Sequence, residues 1–135
     1  MTDTFKLMLA QLNPTVGAIA ANVARAKKAW ESGKAAGADM VALTEMFVTG
    51  YQTQDLILKP AFVSAAVAAI EALAVDCADG PALGIGGPVS LGGRLYNGYY
   101  VLEGGRVHAR VLKHHLPNDA VFDEKADGAS VAIEE

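Results

Sequence analysis

Glu45 stands two residues past Met40–Leu43, a run of four apolar residues that reads as a strand covered on both sides. In open α/β sheets reactive groups collect just beyond the carboxyl ends of strands, so Glu45 is a candidate acid–base group; the plain alternative is an exposed loop glutamate. Lys113 is the second candidate. Val107, Ala109 and Val111 share one strand face by period-2 alternation, and Lys113 continues it. A lysine in that position either snorkels at the sheet edge or is held part-buried near a carboxylate. Other reactive types read as structural. Cys77, the single cysteine, ends the apolar stripe of a helix and is expected to pack as a small hydrophobe. His114 and His115 point to opposite faces of a strand, and His108 and His114 are about 20 Å apart along it, so no metal site is expected. Gly84-Ile85-Gly86-Gly87 is followed by Pro88 rather than by a helix start, which argues against a dinucleotide-binding loop.

The elements that must position these residues alternate in period. Phe5–Leu12 reads as a strand ended by Asn13-Pro14. Residues 18–36 carry Ile19, Val23, Ala26 and Trp30 at helical spacing, with Gly37 placed to stop the helix. Pro60 opens a second helix over residues 61–77, striped by Val63, Val67, Ile70, Ala74 and Cys77 and ended by Asp79-Gly80-Pro81. A short strand is expected at 82–86, then two strands at 94–103 and 106–115 joined by a Gly104-Gly105 hairpin. The order β-α-β-α-β-β-β is an α/β pattern with an antiparallel hairpin.

Composition narrows the partners. Hydrophobic residues make up 52% and charged residues 19%, which excludes whole-chain disorder. A net charge of −4 offers no basic face, so no nucleic-acid partner is expected. Glu71, Asp76 and Asp79 interrupt the most apolar region, so no membrane span is expected, and the polar N-terminus lacks a secretory signal. The protein reads as cytoplasmic.

The segments FKLMLAQLNPTVGAIAANVARA, ADMVALTEMFVTGYQTQDL, LGIGGP, LYNGYYVLEGGRV and LKHHLPNDAVFDE together resemble the first half of a nitrilase-type (carbon-nitrogen hydrolase) domain. Within that family they are most similar to the glutaminase domains of glutamine-dependent NAD synthetases. The resemblance runs from Phe5 to about Glu124, giving a 1–124 domain portion and a 125–135 tail that does not resemble the family. It implies an α-β-β-α sandwich, of which this is the N-terminal part. It implies a Glu, Lys, Cys triad, with the Glu on Glu45 and the Lys on Lys113. The nucleophilic cysteine belongs on a strand-to-helix elbow beyond the Lys motif, which this sequence does not contain; Cys77 precedes Lys113 and cannot stand in for it. Thr44 replaces a proline usual before the Glu, and Asp119-Ala120 replaces a usual Tyr-Gly.

The resemblance further implies glutamine as substrate and ammonia as the product passed to a synthetase domain that amidates nicotinic acid adenine dinucleotide. ATP, Mg and nicotinamide nucleotide sites are expected on that other domain, and no cofactor on this sequence. It also implies homo-oligomers formed through a helical layer. The alternatives are a portion of another nitrilase-type amidase or carbamoylase, or a catalytically silent assembly module.

Overall fold

A computed structural model describes residues 4–50, 57–112 and 131–133. The strands are β1 (Leu7–Leu9), β2 (Met40–Ala42), β3 (Ala82–Leu91), β4 (Arg94–Glu103), β5 (Arg106–Leu112) and β6 (Val131–Ile133). The helices are α1 (Ile19–Ala35) and α2 (Pro60–Asp76). The sheet order is β1-β2-β3-β4-β5-β6; β1, β2 and β3 are parallel, and β3 to β6 are antiparallel. The parallel pairs need crossovers, and α1 and α2 supply them.

Both helices cover one face of the sheet. Val41, Leu83, Ile85, Val89, Tyr100 and Leu102 are buried there against Ala26, Trp30, Ala66, Ile70 and Leu73. The expected helical stripes are those that turn inward, although Asn22, Gly33 and Leu73 share the burial and Val67 is only half-buried. Trp30 ties the layers together, donating its indole N–H to the Pro81 carbonyl at 2.7 Å, just before β3. Cys77 closes α2 as a buried thiol pushed up to about 11, first by burial and then by the neighbouring Asp76 charge. Tyr100 is core, donating its hydroxyl to the Pro88 carbonyl at 2.6 Å.

Two sequence expectations change. β3 does not end at Gly86 but continues to Leu91 and turns through Gly92-Gly93, both at positive φ, into β4. Pro88 is tolerated because of parity. Gly84 and Gly86 aim their backbone groups toward the β2 side, bonding Leu43, Thr44 and Val48. Pro88 shares that direction beyond the end of β2, so its missing N–H costs no bond to β4. The second change is on β5. Its register passes from Val101↔Ala109 to Leu102↔Val107, leaving His108 unmatched in a bulge. Val107 therefore packs with the helix-side core, whereas Val111, paired with Tyr99, lies on the opposite face with Ala109.

Candidate functional site

The chain leaving β2 turns at once, its Glu45–Met46 backbone passing over Gly86 of β3 while Phe47 and Val48 return into the helix-side core. Glu45 opens this turn and is exposed, while Met46, Phe47, Val48 and Thr49 behind it are buried. Three bonds to β3 hold the crossing: Leu43 N–H donates to the Gly84 carbonyl at 2.8 Å, Gly86 N–H to the Thr44 carbonyl at 3.2 Å, and Val48 N–H to the Gly86 carbonyl at 3.1 Å. A fourth comes from β4, where the Tyr99 hydroxyl donates to the Leu43 carbonyl at 2.8 Å. Burial raises the Tyr99 phenol above its ordinary value, so it remains a donor at neutral pH.

Gly86 makes this approach possible. A Cβ at that position would stand 2.2 Å from the Met46 nitrogen and 2.6 Å from the Glu45 Cα. The acid thus rides directly over a strand position that has no side chain. Met46 carries the conformational cost, with φ of 50° in the left-handed region. Its fully buried side chain, clustered with Ile57 and Val63, offsets that cost.

Behind the turn, Asn22 of α1 is fully buried and donates to the Thr15 and Val48 carbonyls at 2.8 and 3.0 Å. It also accepts from the Thr15 N–H at 2.8 Å. One helical side chain therefore fastens the loop after β1 to the turn after β2. On β4, Asn97 is 3% exposed, and its side-chain nitrogen has no hydrogen-bond acceptor among the described residues.

Of the sequence candidates, Glu45 is found at the mouth of β2 as expected. Lys113 lies outside the described residues; β5 is described to Leu112, which pairs with Gly98. His114 and His115 also lie outside them. Among the described residues, no three His, Cys, Asp or Glu side chains group as a metal site, and no helix is long and apolar enough to cross a membrane. Sequence reasoning missed Asn22, Met46, Gly86, Asn97 and Tyr99. The glycines after the second helix were the one available signal, marking a close backbone approach rather than a phosphate loop.

The carbon-nitrogen hydrolase family pattern matches residues 6–129. The chain belongs to the carbon-nitrogen hydrolase family. It is 65% identical over 124 residues to a glutamine-dependent NAD(+) synthetase of Rhodobacter capsulatus, covering 92% of this chain and 22% of that protein. A glutamine-dependent NAD(+) synthetase from Cytophaga hutchinsonii superposes with a TM-score of 0.85 at 26% identity, over 93% of this chain and 22% of that one. An amidase from Nesterenkonia shares the fold, with a TM-score of 0.78 at 20% identity, over 91% of this chain and 49% of that one. The carbon-nitrogen hydrolase chain described here thus has the nitrilase-type α/β fold and spans about a fifth of the length of the curated relatives it matches.

Proposed function

We propose that this chain carries the base and the cation of a glutamine-hydrolysing site that supplies ammonia to an NAD synthetase. The observation that carries the reading is the Glu45 turn, held over Gly86 by bonds to β3 and β4 at the carboxyl end of a parallel strand. The β5 register adds support. Tyr99, which donates to the Leu43 carbonyl at the start of the turn, pairs with Val111 near the end of β5, so the strand that precedes Lys113 in sequence lies beside the turn's own anchor.

In this reading Glu45 takes the proton of a cysteine thiol supplied from elsewhere in the domain. The thiolate attacks the glutamine side-chain carboxamide carbon, and the carbonyl π pair moves to oxygen beside the Lys113 ammonium. Collapse breaks the C–N bond, and Glu45 returns the proton to the departing nitrogen, releasing ammonia and leaving a thioester. Glu45 then takes a proton from water as it attacks the thioester; glutamate leaves and the thiol is restored. Cys77 does not fit the nucleophile, because its thiol is buried on the helix side and pushed up to about 11.

In a polypeptide joining this sequence to the remainder of the synthetase, Glu45→Gln should cut glutamine-driven NAD formation at least about 100-fold. NAD formation from added ammonia should be retained. Equal loss with both nitrogen sources would contradict the assignment. The same reading carries a cytoplasmic setting and homo-oligomers formed through the α1–α2 layer, which sedimentation would test.

A further inference from the structure

The Leu43 carbonyl lies where β2 stops being a regular strand. Bonds in a parallel ladder step by two residues on each strand. The Ala82 N–H donates to the Asp39 carbonyl, so the regular series would bring the Gly86 N–H to the Leu43 carbonyl. Instead the Gly86 N–H goes one residue further, to the Thr44 carbonyl at 3.2 Å. That slip begins the Glu45 turn. It leaves Leu43, only 4% exposed, with a carbonyl that has no backbone donor among the described residues. A buried carbonyl in that position needs a donor from elsewhere, and the Tyr99 hydroxyl supplies it at 2.8 Å.

The phenol reaches Leu43 because β3 puts no side chain in its way. Tyr99 pairs with Gly86, and its ring leans along the sheet to Gly84. A Cβ on Gly84 would stand 2.5 Å from the Tyr99 hydroxyl oxygen and 2.8 Å from its Cε2. Both backbone groups of Leu43 are therefore tied, its N–H to the Gly84 carbonyl and its own carbonyl to Tyr99, two residues before Glu45. We propose that Tyr99 is a positioning residue, whose hydroxyl stands in for the missing ladder donor, fixes the point where the chain leaves β2 and thereby places the Glu45 carboxylate. The inference deepens the hydrolytic reading of Glu45 and rests on it for its purpose. Tyr99 handles no proton of the reaction; it acts through the backbone from Leu43 to Glu45. Displacing a reacting group by about 1 Å can cost about 100-fold in rate, so a bond at the root of the turn matters to turnover.

Tyr99→Phe keeps the ring beside Gly84 and removes only the donor. Tyr100→Phe is the matched control, since it removes a hydroxyl that donates to the Pro88 carbonyl at 2.6 Å in the helix-side core, one residue along the same strand. In the chain itself, amide hydrogen exchange at Gly86 and Val48, whose N–H groups hold the turn, should be about 10-fold faster in Tyr99→Phe than in Tyr100→Phe. In the polypeptide joined to the remainder of the synthetase, Tyr99→Phe should lower kcat with glutamine about 10-fold and leave KM within about 2-fold. Tyr100→Phe should keep kcat, and NAD formation from added ammonia should be retained in both. Equal exchange in the two variants would overturn the proposal. So would an unchanged kcat in Tyr99→Phe beside an inactive Glu45→Gln, a result that leaves the glutamine reading standing. A fully active Glu45→Gln would instead overturn the glutamine reading and remove the role of the Tyr99 bond with it.

Discussion

Ile85 and Gly86 are neighbours on β3 and show the two faces of the sheet side by side. Ile85 is fully buried beneath the helices among Val41, Leu83, Ile70 and Tyr100, where stability comes from filling space. Gly86 faces the other way, and there the structure depends on space left for the Glu45–Met46 backbone. The helix-covered face is a core assembled from side chains. On the opposite face, at the end of β2, main chain lies on main chain: the Thr44 carbonyl accepts from the Gly86 N–H, and the Val48 N–H and Tyr99 hydroxyl donate to backbone carbonyls. Farther along the open face Leu7, Leu9 and Val111 are exposed.

That contrast predicts opposite responses to changes of size. Ile85→Ala removes buried volume and should cost about 3–5 kcal/mol in urea unfolding. Gly86→Ala adds a single methyl and should still cost about 2–3 kcal/mol, because the atoms it meets are backbone and cannot rotate away. Its signature should be a chemical-shift change concentrated in residues 44–50, where Ile85→Ala would perturb α2 and β4. If Gly86→Ala were neutral, the close crossing of the Glu45 turn would be wrong.

The helix-covered face makes a smaller prediction in pH. Cys77 has a thiol raised in the folded state from about 9 to about 11. A raised value means that the folded state favours the neutral thiol. The associated stability is complete below pH 9 and is lost as pH rises toward 11, by up to about 2 kcal/mol. Urea unfolding across that window should show the decline, and Cys77→Ala should remove it. A slope unchanged in Cys77→Ala would place the thiol in contact with water.

The sequence reads well where burial is periodic. The α1 stripe through Ala26 and Trp30 and the α2 stripe through Ile70 and Ala74 turn inward as their spacing requires, and Glu45 stands beyond β2 as expected. It reads poorly where geometry depends on what is absent. Gly84, Gly86, Gly87 and Pro88 look like strand breakers, yet they lie in the longest-buried strand because close backbone contact and the loss of β2 as a neighbour make them suitable. The bulge at His108 is likewise invisible to alternation and shifts Val107 onto the helix side. Asn97 and Asn22 gave no signal at all, since an isolated asparagine resembles any turn residue until its partners in space are known.

The proposed glutamine hydrolysis requires the Glu45 carboxylate and the Lys113 amine to meet. Zero-length carbodiimide coupling joins a carboxylate to an amine only when the two touch, and peptide mass mapping identifies the pair. The expected product is a Glu45–Lys113 amide in the wild type that is lost in Lys113→Arg. Recovery of Glu45 coupled elsewhere, with Lys113 unlinked, would show that the two groups do not meet and that the site is not built as proposed.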